Sequence, residues 1–258
     1  MPGQIVFICG CGHSGTSLAA AMFAAHPEFY MPRKETGVFT KSALAKERWA
    51  ALRQRWQSSG RPHLSEKTPR HIRYLPRIRD HVPEARFLVM VRDGRDVASS
   101  HIKRYGSAEP GMERWVRDNE FVLSERDHPD VHVIRYEDLV VDPEGILRQA
   151  TAFAGVPFDS AMLRYFEQPQ LWFGVKEKRP GSGEDGKEHN LLRNWQINQP
   201  IFDGRNQWIG KLTDEQVAFF NEGRAGEIMR LFGYDTEAHI ATTKVPAHSD
   251  VRPKIGGQ

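Results

Sequence analysis

The chain has 258 residues, of which 39% are hydrophobic, 10% aromatic and 27% charged, the profile of a folded globular protein, which excludes disordered, collagen-like and coiled-coil architectures. Its 36 Lys and Arg against 33 Asp and Glu leave a formal charge of +3; that excess does not argue for nucleic acid and fits a local cationic cluster serving a small anion. Its 2 cysteines, Cys9 and Cys11, supply neither a disulfide framework nor a four-ligand zinc site, and are expected to pack as small hydrophobes.

Ile5 to Cys9 is a β-branched and aromatic run ending in glycines, the pattern of a parallel strand buried on both faces. Gly10-Cys-Gly-His-Ser-Gly15-Thr-Ser17 follows, and Thr16 to Ala25 reads as the helix that it opens. Strand, glycine loop and helix N-terminus form the setting in which backbone N–H groups cradle phosphate oxygens. Thr16 stands where a Walker loop requires lysine, and no Walker B aspartate follows a strand. A ligand-free turn, a P-loop kinase with a degraded lysine and a non-catalytic nucleotide- or polyanion-binding module therefore all stay open. The apolar run from Leu18 to Ala25 falls far short of the roughly 18 residues that span a bilayer, and no Lys or Arg precedes Arg33. Neither a membrane span nor a signal peptide is expected, and a cytoplasmic protein is.

Helices are expected over Lys41 to Gln57 and Pro69 to His81, with Ser65 to Pro69 at a strand-to-helix junction. Arg86 to Val91 is the clearest strand, followed by helices over Asp96 to Arg104 and Met112 to Arg126, a strand over Val131 to Tyr136 and a helix over Pro143 to Ala154. The alternation predicts an α/β protein with a parallel sheet and no internal repeat. Residues 168–210 read as a long irregular loop of Gly, Pro, Asn and charged residues. Leu212 to Phe232 recovers helical periodicity, so the domain runs over 1–237, and 238–258 reads as an extended or disordered tail.

His13-Ser-Gly-Thr-Ser-Leu18 resembles the phosphosulfate-binding loop of sulfotransferases that use 3′-phosphoadenosine 5′-phosphosulfate (PAPS), with His13 where that family usually has Arg or Lys. Arg92 and Ser100, eight residues apart after the strongest strand, can converge on one phosphate; the resemblance makes it the nucleotide 3′-phosphate, and Arg104 matches a further cofactor arginine. It also sets Tyr136, in Val133-Ile-Arg-Tyr136-Glu-Asp, near the adenine and makes Lys211 a cofactor contact. The pattern is closest to the tyrosylprotein and heparan (Golgi-type) branches and covers roughly residues 5–235.

The resemblance implies a P-loop-like three-layer sandwich, with a central mainly parallel sheet flanked by helices. It implies an enzyme that transfers a sulfuryl group from PAPS to a hydroxyl, releases 3′-phosphoadenosine 5′-phosphate (PAP) and needs no metal. The cosubstrate would be held by Gly12, His13, Ser14, Gly15, Thr16, Ser17, Arg92, Ser100, Arg104, Tyr136 and Lys211. Glu35, in Arg33-Lys-Glu-Thr36, is the expected base, with His63 and His13 as rivals, and Lys67, in Ser65-Glu-Lys67-Thr68-Pro69, is the cation for the transferring group. No nucleic-acid partner is expected. The acceptor stays open among tyrosyl peptide, saccharide, lipid and small natural product, with its wall expected from 41–66 and 168–210.

Overall fold

Five strands form one parallel sheet in a computed structural model that describes residues 3–168, 172 and 186–237. They are β1 (Ile5–Gly10), β2 (Phe29–Tyr30), β3 (His63–Lys67), β4 (Ala85–Val91) and β5 (Val131–Arg135), in the order β2-β3-β1-β4-β5. Ile5 pairs with Leu64 on β3 and with Ala85 on β4, so β1 lies between the two halves of the sheet. After β1 the chain builds β2 and β3 on one side and then crosses to β4 and β5 on the other, which makes the carboxyl edge near β1 the topological switch point.

Both faces of the sheet are covered, because β1 is apolar at every position that its pleat turns outward. Ile5, Phe7 and Cys9 join Phe87, Val89 and Val91 on one face. That face packs against α2 (Ala45–Ser58), α3 (Leu75–His81), α4 (Gly94–Tyr105) and α5 (Glu109–Glu125), with two further helices between residues 214 and 231 joining the same core. Val6 and Ile8, with Leu88, Met90 and Ile134, pack against α1 (Thr16–Ala25) and α7 (Pro143–Ala154), which the short α6 (Tyr136–Val141) precedes. Helices on both faces of a parallel sheet give the three-layer sandwich.

The structure differs from the sequence reading in several places, beginning with the short β2 and the 3-10 turn at Ser42–Leu44 that precedes α2. The segment Pro69–Tyr74 is a 3-10 turn, and only Leu75–His81 continues as α-helix. Residues 168–210 are not all irregular: α8 (Gly186–Gln196) lies inside them and buries Leu191 and Asn194, while Trp172 is buried too. Charged residues between its few apolar positions hide this helix from a periodicity search. The expected helix over Leu212 to Phe232 is two helices, α9 (Asp214–Asn221) and α10 (Gly223–Leu231). The break falls at Gly223, whose φ of 52° belongs to the left-handed region that glycine adopts most readily. Tyr136 opens α6 rather than ending β5. The expected tail over 238–258 lies outside the described residues.

Candidate active site

Each strand of the sheet hands a polar or charged residue to one cleft at its carboxyl edge. β1 runs into the glycine loop, β2 leads to Glu35, β3 ends at Lys67, β4 is followed by Arg92 and β5 by Tyr136. The cleft has a volume of about 650 Å³, a size that holds a small-molecule ligand.

The glycine loop turns through two left-handed residues, His13 (φ 71°) and Gly15 (φ 86°), before α1 starts at Thr16. No side chain caps α1, so its first N–H groups face the cleft without a built-in partner. Gly15 is also needed for space, since a Cβ there would lie 2.6 Å from the Tyr136 ring. His13 Nδ1 lies 2.9 Å from Ser100 Oγ. Burial, then the Arg104 guanidinium and its neighbours His101, Arg114 and Arg193, push the His13 imidazole down to about 3. His13 is therefore neutral at physiological pH. Ser14 is buried and its Oγ has no partner.

Lys67 is 1% exposed and its Nζ donates to Glu35 Oε1 at 2.8 Å and to Ser17 Oγ at 3.4 Å. Arg193, from α8, donates to the same Glu35 oxygen and to Ser17 Oγ, each at 3.0 Å. Burial would raise the Glu35 carboxyl, but the Lys67 and Arg193 charges beside it win and hold it down at about 2. Burial lowers Lys67 to about 8 against the pull of Glu35. A buried carboxylate, Glu66, positions this pair from behind: its Oε1 accepts from Thr36 N–H at 3.1 Å, Thr36 Oγ1 at 2.7 Å and Thr68 Oγ1 at 2.7 Å. Its Oε2 lies 3.0 Å from His71 Nδ1, both side chains being fully buried. Thr36 and Thr68 adjoin Glu35 and Lys67 in the chain, so one carboxylate fixes the backbone on both sides of the ion pair.

A second cluster of cleft residues lies at the end of β4. Arg92 Nη1 donates to the His13 carbonyl at 3.1 Å and Nη2 to the Gly204 carbonyl; its guanidinium lies over the Tyr136 ring at 4.3 Å, and its buried Nε has no partner. Asp96 holds the neighbouring segment by accepting from Asn206 N–H at 3.0 Å and Trp208 N–H at 3.1 Å. That brings Phe202, 57% exposed, to the rim beside Tyr136.

Of the residues singled out in the sequence, Gly12, His13, Gly15, Thr16, Ser17, Glu35, Arg92, Ser100, Arg104 and Tyr136 all line this cleft, and Lys67 reaches it through Glu35 and Ser17. Lys211 does not: it is exposed, with its Nζ 3.5 Å from Gln207 Oε1. His63 does not either. It sits at the amino end of β3, where Nδ1 accepts from Gln4 N–H at 3.0 Å and Nε2 is 3.7 Å from Glu28, at the opposite edge of the sheet. Sequence reading missed Arg114 and the Glu66–His71 pair, and placed Arg193 and Phe202 only within the 168–210 stretch expected to wall the acceptor. Arg114 and Arg193 are single arginines in amphipathic helices, and no local pattern assigns their individual contacts. Cys9 and Cys11 are buried, and burial pushes both thiols up. Among the described residues no cluster of His, Cys, Asp or Glu could hold a metal ion, and no helix is long and apolar enough to cross a membrane.

Fold and cleft define a P-loop-like α/β protein whose glycine loop and arginines are arranged to hold an anionic ligand in two places. The model of the sulfotransferase family matches residues 34–160, just under half of the chain. It is 24% identical over 274 residues to protein-tyrosine sulfotransferase A of Caenorhabditis elegans, a match covering 91% of this chain and 68% of that protein. To the Drosophila melanogaster protein-tyrosine sulfotransferase it is 24% identical, covering 91% of this chain and 52% of the other. Among solved structures, the sulfotransferase domain from the curacin biosynthetic pathway superposes with a TM-score of 0.62 at 18% identity, covering 91% of this chain and 99% of that one. A mouse sulfotransferase complexed with PAP superposes with a TM-score of 0.59 at 17% identity, covering 88% and 85%.

Proposed function

We propose that the chain transfers the sulfuryl group of PAPS to a hydroxyl of an acceptor. The observation that carries this is the Lys67–Glu35 ion pair at 2.8 Å, set in the same cleft as the glycine loop and the Arg92–Ser100 position. The residues fit the cosubstrate: an uncapped helix start and a left-handed nest face one anionic group, and the partnerless Arg92 Nε faces a second need for an acceptor atom. Gly12 to Ser17 would hold the 5′-phosphosulfate, Arg92 with Ser100 and Arg104 the 3′-phosphate, and Tyr136 with Phe202 the base.

Bound PAPS supplies a sulfuryl group on a phosphate leaving group. Such a transfer depends on positioning and charge stabilisation more than on covalent chemistry of the protein. Glu35 Oε1 takes the acceptor proton. It is ionised in the free site and becomes more basic when Lys67 and Arg193 share their charge with a bound anion. Lys67, protonated, stabilises the charge that develops as the bond to sulfur breaks. Trp172, buried with Lys67 5.8 Å from its ring, keeps water from this ammonium.

The acceptor side of the cleft carries Arg48, whose Nη1 donates to the Gly37 carbonyl at 3.4 Å, and Arg70. Among the acceptor classes these two cations favour a hydroxyl with negative charge beside it. The test is transfer from labelled PAPS to a panel of neutral and anionic hydroxyl compounds. Labelled product with release of PAP is expected, strongest with anionic acceptors. Failure of the chain to bind PAP would contradict the reading.

A further inference from the structure

We infer that Arg114, from α5, supplies the positive charge that the glycine loop itself lacks at the 5′-phosphate end of the cosubstrate. Residues 10–17 contain no Lys or Arg, and His13 is held neutral by burial and by surrounding cations. A nest of backbone N–H groups offers partial charges only, so an anion seated there lacks a full counter-charge from the loop.

Arg114 lies directly over that loop. A Cβ built on Gly12 would be 2.9 Å from its Nη2, 3.0 Å from Cζ and 3.1 Å from Nη1, so the guanidinium covers the face of that glycine. Its own orientation is fixed: Nε donates to Asp118 Oδ2 at 3.2 Å, and Asp118 is fully buried. Asp118 also accepts from Arg73 at 2.5 Å. Two guanidiniums share one carboxylate, so the trio keeps a net positive charge, and Arg114 is the member that lines the cleft. The other two arginines whose charge acts on the His13 imidazole have identifiable contacts. Arg193 bonds Glu35 and Ser17, and Arg104 lies 4.6 Å over the Tyr105 ring at the mouth.

This inference rests on the PAPS reading, and the test separates the two. PAP, adenosine 5′-phosphate and adenosine 3′-phosphate are titrated calorimetrically into the wild type, Arg114→Gln and Arg114→Lys. Asp118 keeps Arg73 in both variants, so both should fold, and equal melting temperatures check this. Arg114→Gln should weaken PAP and adenosine 5′-phosphate by about tenfold or more, the scale of one charge-assisted contact, and leave adenosine 3′-phosphate within about twofold. Arg114→Lys should recover part of the loss. Unchanged affinities, or equal losses for all three nucleotides, would overturn the assignment of Arg114 while leaving the PAPS reading intact. No binding of PAP by the wild type would overturn both.

Discussion

Lys67 Nζ and Glu35 Oε1 meet at 2.8 Å across 32 residues of chain, one delivered by β3 and the other by the segment after β2. The contact joins a cation that is almost fully buried to a carboxylate that is ionised because of it. A carboxylate and a cation are thus held in contact in the cleft, and Glu66 keeps both backbones in place.

Replacing Lys67 separates charge stabilisation from binding. Lys67→Met should lower kcat by about 10²–10³, the usual range for losing a preorganised transition-state contact, with PAP affinity within a few-fold of wild type. Lys67→Arg should recover part of the rate. Single-turnover assays beside PAP titrations check this; a loss confined to PAP affinity would make Lys67 a binding residue only.

Arg92→Ala should weaken PAP by about 2–4 kcal/mol, the scale of removing one partner of a buried charged contact, while barely changing adenosine 5′-phosphate. Equal losses for both nucleotides in a titration would remove Arg92 from the 3′-phosphate. Together with Arg114 this gives opposite nucleotide signatures for the two ends of the cleft.

The pH profile tests the Lys67 ammonium and distinguishes Glu35 from a histidine base of ordinary pKa; His13, at about 3, would share the neutral plateau of Glu35. Glu35 and His13 titrate at about 2 and about 3, and Lys67 at about 8. The value of kcat/KM for PAPS reports free-enzyme groups. It should be flat through the neutral range and fall above about pH 8, because raising the pH through the Lys67 pKa removes the ammonium. Lys67→Arg should abolish that upper limb, since a guanidinium keeps its proton up to about pH 12. An acidic limb between about pH 6 and 7 would point to histidine.

Glu66→Gln should destabilise the fold by about 1.5–3 kcal/mol, the scale of a hydrogen bond to a charged, buried acceptor, since the carboxylate accepts from Thr36 and Thr68. Urea denaturation measures this. A loss under about 0.5 kcal/mol would show that the Glu66 carboxylate does not anchor the segments carrying Glu35 and Lys67.

Much of the cleft was legible because its parts sit at strand ends, where local chemistry leaves a mark. A glycine loop after an apolar strand, an Arg and Ser on either side of a helix start, and a Lys before Pro are short, contiguous signals. They identify Gly12 to Ser17, Arg92, Ser100 and Lys67 as neighbours once the sheet is known to be parallel. Arg114, Arg193 and Glu66 carry no such signal. Each is a lone charged residue in a regular element, and its place in the cleft depends on how helices cross or on which side of β3 it falls. Arg193 acts on Ser17 from 176 residues away, a relationship that no spacing encodes. Lys211 shows the reverse failure: a recognisable local match on a segment whose fold turns the side chain to solvent. The Gly223 break was hidden because apolar periodicity continues through it.

We propose that Glu35 takes the proton of the acceptor hydroxyl. The most direct measurement is kcat for Glu35→Gln with labelled PAPS and a working acceptor, beside PAP affinity on the same preparation. The variant keeps the size of the side chain and removes its basicity. Turnover should fall by roughly 10²–10⁴, the usual share of general-base catalysis, with PAP affinity within about threefold of wild type. A variant that retains most of its kcat would contradict the claim.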